Sequence, residues 1–134
     1  MVVLVQANVL TVGLNGKNGL LLELPIRLIT VPSGREAIHC LRNERFDSII
    51  SNWDLDDMQE GRFIKNLRAV KPDIPTIVFI RANEPAQEIA ARSLGVSAVL
   101  TDESDDEFFR QTVANVLGIR DVVPVKAISP VEDR

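Results

Sequence analysis

Five short apolar runs separated by stretches of helical spacing constrain this chain more than anything else in it. They are Val2–Val5, Ile26–Val31, Asp47–Ser51, Thr76–Ile80 and Val96–Thr101. Runs of this length, rich in β-branched residues and bounded by turn formers, read as buried strands. Strands that alternate with helices pair in parallel, because each crossover returns the chain to the same end of the sheet. The expected fold is therefore α/β: a doubly wound, five-stranded parallel sheet with helices on both faces. In such sheets, sites are built at the carboxyl ends of the strands. The third run ends at Asn52 and opens into an acidic loop holding Asp54, Asp56 and Asp57, so any chemistry should be legible there.

The helices between the strands carry their own signals. Ser33 and Glu36 form a capping box that starts a helix running to about Asn43, with Ala37, Ile38 and Leu41 facing inward. Phe63, Ile64, Leu67 and Val70 recur at helical spacing from about Gly61 to Val70. Pro85 and Gly95 bracket an alanine-rich helix. Ser104 and Glu107 suggest a second capping box, opening a last helix that sets Phe108, Phe109, Thr112, Val113, Val116 and Leu117 on one face and closes at Gly118. The stretch Val9–Leu24 is apolar but contains Gly13, Gly16 and Gly19, each costing about 1 kcal/mol in a helix relative to alanine. An irregular first helix is expected there, or one that starts late, near Asn18. Residues 1–118 make one domain. Residues 119–134, with Pro124 and Pro130 and no helical period, read as a tail or linker.

Composition removes several classes of function. A chain of 134 residues with 46% hydrophobic and 25% charged residues is an ordinary globular domain. Cys40 stands alone, so no internal disulfide can form and a reducing, cytoplasmic setting is expected. No stretch has the length and apolarity of a membrane span, and the first residues lack the order of a signal peptide. A net charge of −4 argues against a nucleic-acid partner.

Three catalytic readings also fail on spacing. Gly16-Lys17 is followed by Asn18, and Thr11 stands where a phosphate-binding loop needs its first glycine. His39 and Cys40 are neighbours on a helix and point about 100° apart. Asp54 and Asp56 loosely resemble the Asp-x-Asp of haloacid-dehalogenase-type phosphatases, but they follow the third strand of a short chain instead of the first of a longer one. A solvated acidic loop, at most a weak cation site, is the simpler reading. Likewise, the run Asp102–Glu107 suits a first helical turn.

Several segments together resemble the receiver domain of two-component response regulators over residues 1 to about 117. Phe46 through Ser51-Asn52-Trp53, then Met58, then Phe63-Ile64-Lys65-Asn66-Leu67-Arg68 follow the family's third strand, loop and third helix without a gap. Pro72-Asp73-Ile74-Pro75 matches the turn before its fourth strand, Gly95 with Val99-Leu100-Thr101 its fifth strand, and Gly34 with Glu36-Ala37 the start of its second helix. The resemblance implies a flavodoxin-like sheet of strand order 2-1-3-4-5.

It also implies a site, and there the chain departs from the pattern. Receivers bind Mg²⁺ through acidic residues after the first strand and take a phosphoryl group on an aspartate ending the third. A Ser or Thr and a Lys ending the next two strands contact the phosphate. Carried over, the acidic pair falls on Gln6 and Ala7, the acceptor on Asn52, the hydroxyl on Ile80 and the lysine on Asp102. An amide is not the anionic nucleophile that phosphoryl transfer needs, and Asp102 would repel the phosphate that a lysine attracts. The resemblance therefore implies a degenerate receiver: no enzyme, no cofactor and no metal, acting as a phosphorylation-independent module that binds a signalling protein or output domain. The family's partner face maps to about Glu84–Leu117, which is also the candidate dimer surface. Phosphorylation of a neighbouring carboxylate such as Asp54, or a small ligand in the vacated pocket, are the alternative expectations. Trp53, Asp54 and Arg81 should border that pocket, with Arg81 either filling it, paired to Asp102 or else to Asp54, or pointing to solvent.

Overall fold

The computed structural model describes residues 7–14, 18–21 and 24–118. Five strands, β1 (Ala7–Val12), β2 (Ile26–Val31), β3 (Ser48–Asn52), β4 (Thr76–Ile80) and β5 (Ala98–Thr101), form one sheet in the order β2-β1-β3-β4-β5. Every pairing is parallel. Three α-helices connect strands, α1 (Gly34–Asn43), α2 (Arg62–Val70) and α3 (Pro85–Ser93), and a fourth, α4 (Asp106–Leu117), follows β5. The fold class and strand order are those expected from the sequence.

Two cores follow from the period-two alternation of the strands. Leu10, Val12, Ile49, Val78 and Ile80 point to one face and pack with Ala37 of α1, Phe63, Ile64 and Leu67 of α2, and Ala91 of α3. Val9, Ile50, Ile77 and Phe79 point to the other face and pack with Phe109, Val113 and Ala114 of α4. All five residues of β4 are buried, as expected of a central strand in a sheet covered on both sides.

The first βα unit corrects the sequence reading. The first strand among the described residues is Ala7–Val12, which overlaps the start of the Val9–Leu24 stretch expected to be helical, while the expected strand Val2–Val5 lies outside them. Among the described residues, the late, irregular start expected near Asn18 is a short 3-10 turn, Asn18–Leu21, and not an α-helix. Glycine-rich sequence lacks the propensity to sustain a longer helix. Leu14, Leu21 and Leu24 nevertheless join the α4 core.

The helix starts are mixed in outcome. The Ser33 hydroxyl accepts the Glu36 backbone N–H at 3.2 Å, as its capping box predicts. The cap of α4 is Asp105, not Ser104: its carboxylate accepts the Phe108 N–H at 2.7 Å, while the Ser104 hydroxyl accepts the Thr101 N–H at 3.2 Å. Two residues that share the apolar helical spacing point out, Val70 at 75% exposure and Phe108 at 53%.

Candidate functional site

Asn52 is the last residue of β3 and sits beside Phe79 of β4 in register. Its amide Nδ2 donates to the Gly13 carbonyl at 2.6 Å, joining the carboxyl end of β3 to the residue that follows β1. A carbonyl can only accept, so the bond requires a donor at this position. An ionised carboxylate has none. The side chain that cannot act as a phosphoacceptor is therefore one that the local structure uses.

A cleft of about 330 Å³ opens here. Gly13, Leu14 and Asn52 line one side, and Ile80, Arg81 and Asp102 the other, with Trp53, Asp54, Phe79 and Gln87 completing it. The sequence thus located Asn52, Trp53, Asp54, Ile80, Arg81 and Asp102 at one site. It misplaced the pair after the first strand. Ala7 is the first residue of β1, paired with Ile26 at the far end of the strand, and Gln6 lies outside the described residues. The positions that follow β1 are Gly13 and Leu14, which also carry no carboxylate. Gly13 was legible in retrospect: a β-branched run, Val9–Val12, ends on a residue with φ +70°, a conformation suited to glycine.

The acidic loop is largely occupied by backbone hydrogen bonds. Asp54 accepts the Glu60 N–H on Oδ1 at 2.6 Å and the Gln87 amide on Oδ2 at 3.4 Å. Asp57 accepts the N–H groups of Gly34 and Arg35, at 2.9 and 3.0 Å. These bonds, that from Gly34 first, hold the Asp57 carboxyl below its ordinary pKa, with the partial loss of solvent opposing them. No three His, Cys, Asp or Glu side chains among the described residues are grouped as a metal site. Trp53 is buried under Gly61 and anchors the loop from below.

Of the two expectations for Arg81, the structure shows the solvent-facing one, with no Arg81 ion pair among the described residues. The Arg81 side chain is exposed and forms an ion pair with neither Asp102 nor Asp54. Its backbone N–H donates to Gln87 Oε1 at 3.2 Å instead. Gln87, which the sequence reading passed over, thereby bridges the end of β4 to Asp54. An amide both donates and accepts, so it can link an N–H and a carboxylate where a guanidinium, a donor only, cannot.

Comparison with known proteins bears on this geometry. No family model matches the chain. Among solved structures, the receiver domain of the Francisella response regulator 1452 superposes with a TM-score of 0.75, covering 84% of this chain and 97% of that one at 17% identity. The chemotaxis response regulator CheY4 of Vibrio cholerae superposes at 0.72, covering 82% and 98% at 23% identity. The fold is that of a CheY-like receiver domain. In sequence, the receiver-like region is 28% identical over 106 residues to the transcriptional regulatory protein GlrR of Escherichia coli K12. That match covers 74% of this chain but 24% of GlrR, so the chain spans about a quarter of the curated relative. Among the described residues, no helix of this receiver fold is long and apolar enough to cross a membrane.

Proposed function

We propose that this chain is a receiver-like signalling module that binds a protein partner without phosphoryl transfer. The observation that carries the reading is the Asn52 amide donating to the Gly13 carbonyl, which makes the bond between β3 and the end of β1 a direct one. In a receiver that junction would hold an ionised acceptor and a cation. Here Asn52, Gly13, Leu14 and Ile80 offer no anionic nucleophile, and Asp102 sets a negative charge where phosphoryl transfer requires a positive one. Asp54 is a poor substitute acceptor, because both its oxygens already hold hydrogen bonds. The partner face is the surface of α3, β5 and α4, where Ile89 at 67% and Phe108 at 53% are exposed apolar side chains.

The test is incubation with Mg²⁺ and acetyl phosphate, followed by intact mass and peptide mapping. An unmodified chain is expected. A gain of one phosphoryl group on Asp54, or on any other carboxylate, would refute the reading.

A further inference from the structure

Away from the cleft, the C-terminal half of α1 and the length of α2 enclose a second groove of about 360 Å³. Ile38, Leu41, Leu67 and Val70 give it an apolar lining, and Arg42 and Lys71 stand on its rim. Helices in a parallel sheet run back against their strands, so the ends of α1 and α2 lie at the opposite end of the sheet from Asn52. Val70 has the spacing of a core residue yet is 75% exposed, the highest value among the exposed large hydrophobic residues.

Charge distinguishes this groove from an ordinary surface hollow. The chain carries −4 overall, yet Gly61 through Lys71 contains four basic residues (Arg62, Lys65, Arg68 and Lys71) and no acidic one. Arg68 is engaged with the Leu94 and Ile74 carbonyls. Arg42 and Lys71 form no ion pair among the described residues. Of the acidic side chains nearest the rim in sequence, Glu44 is held by Arg27 at 2.8 Å and Asp73 lies in the exposed turn beyond Lys71. The helix dipole explains a cation at one helix end. It does not explain an apolar trough lying between two of them.

We propose that this groove docks an acidic amphipathic helix of a partner protein. The proposal rests on reading the chain as a protein-binding module, but it uses a surface other than the α3-β5-α4 face. The α2 wall of the groove, Phe63 to Lys71, spans about 12 Å, enough to cradle about two turns of a partner helix. Apolar residues at i, i+4 and i+7 of that helix would fill the trough, as in other helix-in-groove complexes. Carboxylates on its flanks would meet Arg42 and Lys71, which sets orientation and rejects basic sequences.

The test uses a synthetic helical peptide with leucines at i, i+4 and i+7 and glutamates elsewhere, titrated into the full ¹⁵N-labelled chain. Chemical-shift changes are expected at Ile38, Leu41 and Val70. Val70→Glu, and Arg42→Glu combined with Lys71→Glu, should each weaken binding at least about tenfold, and added salt should weaken it further. These side chains are exposed, and circular dichroism checks that each variant folds. The proposal is overturned by equal binding of a peptide with lysines in place of glutamates, by unchanged affinity in the variants, or by shifts confined to the Glu84–Leu117 face. A concentration-dependent dimer lost in the same variants would also overturn it, by assigning the groove to a second copy. Phosphorylation of the chain would refute the proposed function and leave the groove result standing, so the two failures are distinguishable.

Discussion

Asp57 reaches from the loop after β3 to the first turn of α1, where its two carboxylate oxygens accept the backbone N–H groups of Gly34 and Arg35 at 2.9 and 3.0 Å. An anion at a helix N-terminus meets unsatisfied donors and the positive end of the helix dipole. Because Asp57 is exposed to solvent, Asp57→Ala should cost only about 1 kcal/mol by chemical denaturation. The folded pKa is depressed, so the contribution is present above the unfolded carboxyl value of about 3.9 and is lost as pH falls through the folded one. The stability difference between wild type and Asp57→Ala should shrink in that acid window and remain flat from about pH 5 to 7. A difference that is constant down through the acid range would remove the charge from this account.

Gly61 and Gly118 separate strain from crowding. Both have φ +73°, but a Cβ on Gly61 would lie 2.3 Å from the Trp53 indole, whereas one on Gly118 meets nothing within 4 Å. Gly118→Ala should cost about 1–2 kcal/mol from the left-handed backbone alone. Gly61→Ala should cost at least about 1 kcal/mol more, since the buried indole has to move. Equal losses in urea denaturation would mean that the loop accommodates the methyl group freely.

Phe109 and Phe108 are adjacent in sequence and opposite in setting. Phe109 is fully buried and meets the Phe79 ring edge-on, with centroids 5.2 Å apart. Phe109→Ala should cost about 3–5 kcal/mol, and Phe108→Ala within about 0.5 kcal/mol. A large loss of stability at Phe108 would remove it from the proposed partner surface.

Asn52→Asp tests whether the amide is structural. It replaces the donor to Gly13 with an acceptor facing an acceptor, and about 1–3 kcal/mol should be lost at neutral pH. The loss should diminish toward acid, where the introduced carboxyl is protonated and can donate again. No acyl phosphate is expected in this variant, because Gly13, Leu14, Ile80 and Asp102 are unchanged. Unaltered stability would make the Asn52–Gly13 bond incidental.

Much of the architecture was legible because the later βα units carry independent signals that agree. In the third unit, the run ending at Ser51-Asn52, the helical spacing of Phe63, Ile64 and Leu67, and the turn before Thr76 all fixed the same boundaries. The first unit offered two apolar runs, Val2–Val5 and Val9–Val12, on either side of Gln6-Ala7-Asn8. Either run suits a strand. The choice is made by register, with Val9–Val12 beside Ser48–Ser51 and Ala7–Val12 beside Ile26–Val31, and pairing across the sheet is not written in local sequence. The misplaced acidic-pair positions followed from that choice. For Arg81 the sequence left pairing and solvent exposure open, because adjacent strand ends bring two residues close without setting side-chain direction; the contact made there, from Gln87 of α3 to the Arg81 backbone N–H, joins elements that are distant in local pattern.

The crossovers that put Arg42 and Lys71 at the tail ends of α1 and α2 put Asp54, Asp56, Asp57 and Asp102 at the opposite end of the sheet. The domain is therefore electrically polar along its strands. In an encounter with an anionic surface, such a molecule feels a torque before it touches anything, and it turns the groove between α1 and α2 forward. That torque acts over a screening length of about 8 Å at physiological salt and shortens as salt rises. Orientation on approach, and with it the association rate, would then be set by ionic strength even where the final contacts are apolar.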